Sequence, residues 1–330
     1  MPTKSINVTD SATFICGHPK SGTSLLAALF DSHPQLLVYP EETLFFRKLL
    51  PKMLDSPKQE RIQDAKDWML RIFHWDPNHP HPTQKDFPGR DYSGIGYDAV
   101  SQVFDELVKS SLTREVDLLP CAVIAYGKAS QDLTEKTARW VEKSPYNEEY
   151  SSLIFNSWPA AKCIHIIRDP RDNYASYMRK HADWTPEVFA FSWLRSTRTG
   201  IQNLRFYGPK RYKIVNYEAL VRQSEETLRD LAMFLGIEID DTMLNPTRAG
   251  QAWQGNSMFG DRFNGISESS VGRFRKNLAP EVVRRLEKLL YPELEHFDYV
   301  LDYPLGWFDK ISSFSSRTYW LFRNRHPSFK

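Results

Sequence analysis

The chain has 330 residues, of which 41% are hydrophobic and 25% are charged, and its formal net charge is +2. This composition is typical of a globular protein with a sizeable core, and the length allows one large α/β domain or two ordinary domains. A net charge so close to neutral excludes a general nucleic-acid binder, because any basic site must then be local.

Cysteine content and hydropathy indicate the compartment. Cys16, Cys121 and Cys163 are too few and too scattered for a disulfide framework or a four-thiolate zinc site, so we expect a reducing environment. The sequence contains no run of about 18 apolar residues and no apolar signal core near its start. We therefore predict a soluble, cytoplasmic protein without an integral membrane segment.

In chain order, short apolar runs alternate with helical patterns, which is typical of βαβ units and a mainly parallel sheet. Asp169 is the predicted N-cap and Pro170 the first residue of one helix. The predicted strands are 13–16, 139–142, 162–167 and 212–216, and the predicted helices are 22–32, 170–181, 194–206, 226–235 and 280–290. Segment 73–96 is rich in Pro, Gly, His and aromatic residues and is predicted to be an insertion, and segment 253–265 a lid-like loop.

The first motif lies in the loop between the first predicted strand and helix. Its backbone N–H groups, together with the helix N-terminus, can form a cradle for an anion. Gly17 and Gly22 keep the glycine spacing of the nucleotide-triphosphate loop, but Thr23 replaces its lysine and Lys20 lies inside the loop. This displacement favours a less charged ligand bound without metal. The alternative is a turn that binds nothing.

The second motif follows the strand 162–167. Arg168 lies at the strand tip and Ser176 about two turns into the next helix, so a guanidinium and a hydroxyl can converge on one phosphate. The alternative is that Arg168 and Arg171 only pair with Asp169 and Asp172 at the helix start. An adenosine with phosphates at both ends explains both motifs better.

These motifs resemble those of the PAPS-dependent sulfotransferase family, where PAPS is 3'-phosphoadenosine 5'-phosphosulfate. Residues 19–24 are similar to that family's 5'-phosphosulfate loop, and Arg168 with Ser176 to its 3'-phosphate-binding pair at the same spacing. Weaker similarities occur at residues 31–43, 141–145, 215–220 and 269–275. The chain resembles the bacterial and tyrosylprotein-type branches more than the classical cytosolic branch, whose late Arg-Lys-Gly segment and catalytic histidine are not evident.

The resemblance implies a P-loop-type three-layer α/β fold with a mainly parallel central sheet flanked by helices, plus helical and loop insertions. We expect one domain over residues 1–330, with a core at about 12–300, an insertion at about 50–130 and a C-terminal extension at about 300–330. PAPS is the implied donor and PAP, 3'-phosphoadenosine 5'-phosphate, the product. The implied donor contacts are Lys20, Ser21, Gly22, Thr23, Ser24, Arg168, Ser176, Ser270 and Arg273. Tyr217, near the end of a strand, could stack on the adenine or belong to the core.

Sulfuryl transfer to a hydroxyl or amine requires a base for the proton that the acceptor loses. In the branches that this chain resembles, the base is a glutamate just after the second strand, which matches Glu42, with Glu41 as its rival. A carboxylate that only favours a helix N-terminus is the alternative. Lys20 would stabilise charge on the bridging oxygen. By resemblance, Lys143 would hold the sulfuryl oxygens, unless it simply ends a strand in solvent.

Other interpretations are a P-loop nucleotide kinase and a catalytically silent nucleotide-binding relative. His74, His79 and His81 give only a weak metal signal because neither cysteines nor clustered carboxylates accompany them, so we expect no metal. The acceptor, whether a small molecule, a glycan or a peptide, and the oligomeric state have no signal in the spacing.

Overall fold

The computed structural model describes residues 8–57, 60–74, 90–308 and 310. Its centre is a five-stranded sheet in which all strands are parallel, so the predicted parallel α/β sheet is confirmed. The strand order is β2-β3-β1-β4-β5, with β1 Ala12–Cys16, β2 Leu36–Val38, β3 Arg139–Lys143, β4 Lys162–Ile167 and β5 Tyr212–Asn216.

Most strand residues are buried because both faces of the sheet are covered. Successive side chains point to opposite faces, so Phe14 packs in one hydrophobic cluster with Trp140 while Ile15 packs in another with Val141. The result is a three-layer α/β arrangement, with a core on each side of the sheet.

Helices form the two outer layers. One layer contacts the Phe14 face and the other the Ile15 face. The helices are α1 Thr23–Asp31, α2 Leu50–Asp55, α3 Arg61–Met69, α4 Tyr97–Ser111, α5 Leu118–Ala129, α6 Ser151–Ser157, α7 Pro170–Tyr177, α8 Pro186–Tyr207, α9 Tyr217–Arg222, α10 Ser224–Leu235, α11 Phe274–Asn277 and α12 Pro280–His296. Within the described ranges, no helix has both the length and the apolar character that a bilayer crossing requires.

Helix ends differ most from the sequence-based expectations. The helix predicted to continue to residue 181 ends at Tyr177, and a turn follows it. The helix predicted to begin at residue 194 begins at Pro186, because Thr185 caps it by accepting a hydrogen bond from the Val188 N–H. The helix that begins at Pro280 continues through an internal proline to His296. Segment 253–265 has no helix or strand, as expected.

The register of the sheet places the ends of its strands at one edge. Cys16 lies opposite His165, and Ile15 opposite Lys143. Because parallel strands end at the same edge, the loops that follow β1, β3, β4 and β5 meet there, which is where ligands bind in open α/β sheets.

Candidate active site

A cleft of about 520 Å³ opens at this edge of the sheet. Among the residues predicted to contact a donor or the reacting group, the structure brings all but Ser21 to this one cleft. They are Lys20, Gly22, Thr23, Ser24, Glu42, Lys143, Arg168, Ser176, Tyr217, Ser270 and Arg273. The loop after β1 and the residues after β4 therefore open onto the same space.

Glycines shape the loop between β1 and α1. Gly17 has φ +136°, and a Cβ there would lie 2.5 Å from the carbonyl oxygen of Ile166. Gly22 has φ +105°, and a Cβ there would lie 2.4 Å from Cδ2 of Tyr217. Both positions require a residue without a side chain, because the backbone conformation and the space exclude any other. The buried carboxylate of Glu148 accepts the Gly17 N–H at 3.0 Å and so holds the loop on the protein.

Helix α1 begins directly after this loop, and no side chain caps it. Thr23 and Ser24, its first two residues, line the cleft. The N–H groups of a first helical turn have no intrahelical partner, and the helix dipole gives this end a partial positive charge. The start of α1 is therefore suited to an anion.

Lys20 has the left-handed conformation, φ 67°, and its side chain enters the cleft. Its Nζ lies 3.1 Å from the sulfur of Met258, a weak acceptor, and no carboxylate of the described chain forms an ion pair with it. Burial, together with repulsion from Lys180, lowers the pKa of Lys20 to about 8. A bound anion would therefore stabilise the protonated form of Lys20.

Arg168 joins the loop after β1 to the late segment of the chain. It is 6% exposed; Nη1 donates to the carbonyl of Lys20 at 3.1 Å, and Nη2 donates to the carbonyl of Ser270 at 2.8 Å. Its buried Nε has no hydrogen-bond partner among the described residues. Buried polar groups are rarely left unpaired, so this guanidinium has capacity for a ligand.

The ion-pair alternative for the second motif applies to Arg171 and not to Arg168. Arg171 pairs with Asp169 at 2.7 Å and with the buried Glu287 at 2.5 Å. Asp172 accepts the backbone N–H groups of Gly272 and Phe274, each at 2.7 Å, and so fastens the late segment to α7.

Glu42 and Lys143 form an ion pair in the cleft, with 2.7 Å between Oε1 and Nζ. The Lys143 side chain is only 5% exposed and also donates to the Ser24 hydroxyl at 3.2 Å, so the alternative of a strand end in solvent does not apply. Burial alone would raise the pKa of Glu42, but the attraction and hydrogen bond of Lys143, together with the charges of Arg90 and Lys20, outweigh it and lower this pKa below its ordinary value. Glu42 is thus a charged carboxylate at neutral pH, with 36% of its side chain exposed.

Glu41 is fully engaged in structural contacts. Its carboxylate accepts from the Tyr92 hydroxyl at 2.8 Å and from Arg248 at 3.0 Å, and Arg90 lies 3.5 Å away. Since these partners occupy a side chain that is only 9% exposed, Glu42 is the glutamate with a free face in the cleft.

The family model whose description is "Sulfotransferase family" matches residues 12–241 of this chain. The chain belongs to the sulfotransferase family. That match includes the loop after β1, Glu42, Lys143, Arg168 and Tyr217.

Two relatives and one solved structure are also similar to this chain. An uncharacterized protein of Aquifex aeolicus is 25% identical over 301 residues, which is 86% of this chain and 34% of the relative. Protein-tyrosine sulfotransferase A of Caenorhabditis elegans is 22% identical over 72% of this chain and 53% of its own length. The solved sulfotransferase domain from the Curacin biosynthetic pathway has a TM-score of 0.51 at 20% identity, covering 84% of this chain and 96% of that domain. The chain spans between about a third and about half of the curated relatives that it matches.

Several of the predicted donor contacts have protein partners. The buried Ser21 does not reach the cleft, because its hydroxyl accepts from Asn173 at 2.7 Å. Tyr217 belongs to the core cluster on the Ile15 face, and its ring lies 4.6 Å from the guanidinium of Arg168. Arg273 pairs with Asp261 at 2.5 Å.

Sequence reasoning gave no role to Glu142, which holds two segments of the cleft together. This fully buried carboxylate accepts from the Thr43 hydroxyl at 2.8 Å, from Ser144 at 2.6 Å and from Asn147 at 2.6 Å. It thereby fixes the segment that carries Glu42 to the strand that carries Lys143. Its position in segment 141–145, one of the segments that resemble the family, was the signal that could have identified it.

No cluster of three or more His, Cys, Asp or Glu suited to a metal ion occurs among the residues described. His79 and His81 lie outside those residues. His74 is described, and its ring packs edge-on against Tyr97 with 5.8 Å between centroids.

Proposed function

We propose that this chain transfers the sulfuryl group of PAPS to a hydroxyl or amine of an acceptor. The observation that carries the proposal is the 3.1 Å contact between Arg168 and the Lys20 carbonyl, because both residues line one cleft with Glu42 although they follow different strands. The family membership and the names of two relatives as protein-tyrosine sulfotransferases support the same chemistry.

The donor would lie with its 5'-phosphosulfate at the start of α1, next to Lys20, Thr23 and Ser24. Its 3'-phosphate would meet Arg168, whose Nε lacks a partner, and Ser176. Ser270 and Arg273 would border the nucleotide, and Tyr217 would adjoin the adenine. Two separated cationic groups without carboxylate partners fit a ligand that is anionic at both ends.

In the reaction, the acceptor oxygen or nitrogen attacks sulfur while the bond from sulfur to the bridging phosphate oxygen breaks, and PAP leaves. Glu42 takes the acceptor's proton, as a charged carboxylate can. Lys20 stabilises the charge that grows on the bridging oxygen. Lys143 keeps Glu42 ionised and oriented through the 2.7 Å ion pair. No step requires a metal ion.

A nucleotide kinase is less well supported. Thr23 stands where a triphosphate-binding loop has its lysine. The two glutamates of the cleft already have basic partners, Glu41 in Arg248 and Glu42 in Lys143, whereas magnesium needs available carboxylates.

Two measurements test the proposal. Thermal unfolding with PAP, compared with ATP and magnesium, shows which nucleotide the chain binds. A ligand at about 100 times its Kd adds about 2.7 kcal/mol of stability. Transfer of labelled sulfur from PAPS to phenol, sugar and peptide acceptors reports the chemistry. We expect stabilisation by PAP and transfer that survives EDTA. A shift with ATP and magnesium alone would support a kinase, and PAP binding without transfer a silent relative.

A further inference from the structure

Arg71 and Trp68 form a cationic ledge beside the proposed base. The guanidinium carbon of Arg71 lies 4.2 Å from the centroid of the Trp68 ring, and both side chains line the cleft. The indole N–H of Trp68 donates to the carbonyl of Thr43 at 2.7 Å. Thr43 directly follows Glu42, so the ledge is anchored next to the carboxylate that would accept the proton.

Arg71 is half-buried and forms no ion pair with any carboxylate of the described chain, unlike Arg90 and Arg248, which both meet Glu41. Burial also lowers its pKa from the ordinary value. Stacking on an aromatic ring offsets part of the cost of withdrawing a cation from water, but leaves the N–H groups at the edge of the guanidinium free for an anion.

The charge of the whole cleft also favours an anionic ligand. Its two carboxylates, those of Glu41 and Glu42, are outnumbered by its cations. The cations that line it are Lys20, Arg47, Arg71, Arg90, Lys143, Arg168, Lys180 and Arg273. Arg90, Lys143 and Arg273 have carboxylate partners. After Lys20 and Arg168 are assigned to the donor, Arg47, Arg71 and Lys180 remain without an ion pair to a described carboxylate, and Arg71 is the one stacked on Trp68 beside Thr43.

We infer that the acceptor is itself an anion, and that Arg71 binds its negative group, a carboxylate, sulfate or phosphate, near the hydroxyl or amine that is sulfated. This inference rests on the proposed sulfuryl transfer and names the class of acceptor. The ledge holds the anion through charge-assisted hydrogen bonds, and its anchoring to Thr43 places that anion at a fixed distance from Glu42.

The test compares acceptors of one skeleton that differ only in charge. Suitable pairs are para-hydroxyphenylacetate with its amide, para-nitrophenyl glucuronide with its uronamide, and acetyl-Glu-Tyr-amide with acetyl-Gln-Tyr-amide. We expect kcat/KM for labelled-sulfur transfer to favour the charged member of at least one pair by about tenfold or more. The preferred pair then reports whether the anion belongs to a phenolic acid, a sugar acid or a peptide.

Variants of Arg71 locate the effect. Arg71→Gln should reduce the charged-to-neutral ratio to about one, and Arg71→Lys should keep part of it because the charge remains but the planar fork is lost. The matched control is Arg284→Gln, since Arg284 is exposed and lies over Tyr303 at 4.9 Å, away from the cleft. It should leave the ratio unchanged.

A thermal shift with PAP in every variant separates the two claims. If PAP stabilises the protein but both members of each pair react equally, or Arg71→Gln leaves the ratio intact, the anionic-acceptor inference is wrong and the transferase proposal stands. If PAP does not bind and no label is transferred, the proposed function itself is wrong.

Discussion

The guanidinium of Arg168 donates a hydrogen bond of 3.1 Å to the backbone carbonyl of Lys20, 148 residues earlier in the chain. The two residues follow neighbouring strands, β4 and β1, which end at the same edge of the sheet. One short ligand can therefore touch both, and the local geometry of the loop depends on the arginine as well as on its own glycines.

Arg168→Ala should weaken PAP binding by about tenfold to a hundredfold, because a phosphate loses charge-assisted hydrogen bonds worth about 1.5–3 kcal/mol. The PAP-induced rise in Tm measures this loss. Binding of adenosine 5'-monophosphate, which has no 3'-phosphate, should change much less. An equal loss of affinity for both nucleotides would show that Arg168 does not bind the 3'-phosphate.

Glu42→Gln should lower kcat by about a hundredfold or more, the usual contribution of a general base, while PAP still binds. Glu41→Gln should instead reduce stability, on the order of 3 kcal/mol, because the buried Arg248 loses its charged partner. Steady-state kinetics and urea unfolding of both variants measure these effects. The assignment would be reversed if Glu41→Gln lost turnover at normal stability while Glu42→Gln remained active.

PAP affinity should fall as the pH rises above about 8. Burial, with repulsion from Lys180, lowers the pKa of Lys20 in the free protein to about 8, whereas a bound anion favours the protonated lysine. Protonation is therefore coupled to binding, and affinity declines by up to about tenfold per pH unit above that pKa. Titrations from pH 7 to pH 10 measure the decline. Lys20→Arg, which stays charged, should remove most of it, and an unchanged decline would assign the effect to another group.

Stability should decrease between about pH 5 and pH 7 because of Glu148. Burial raises the pKa of this carboxyl to about 7 from 4.5, so the folded chain keeps a proton that the unfolded chain has released. The stabilisation is complete below the pKa of Glu148 in the unfolded chain and is lost as the pH rises through its pKa in the folded chain. The total loss is roughly 3 kcal/mol. Urea unfolding at a series of pH values measures it. Glu148→Gln should flatten this decrease, and the same slope in both proteins would exclude Glu148 as its source.

The parts that sequence could predict are local. The β-branched residues before Arg168 predict a strand, and the glycines around Lys20 predict a tight turn. Each of these signals lies within a few residues of the feature that it predicts. The Glu42–Lys143 ion pair joins residues 101 positions apart, so the sequence gives no local signal for it. Trp68 and Arg71 are only three residues apart, but their position beside Thr43 depends on how α3 packs. The position of the Ser21 side chain was not predictable for a similar reason, because its partner Asn173 lies on α7, 152 residues later in the chain.

Calorimetric titration of the unmodified chain with PAP and with adenosine 5'-monophosphate, both without magnesium, tests the donor site most directly. We predict one PAP per chain and a Kd at least about tenfold lower than that of the monophosphate, because only PAP reaches Arg168 as well as the start of α1. Equal Kd values for the two nucleotides would contradict the proposal that both anion-binding groups hold one ligand.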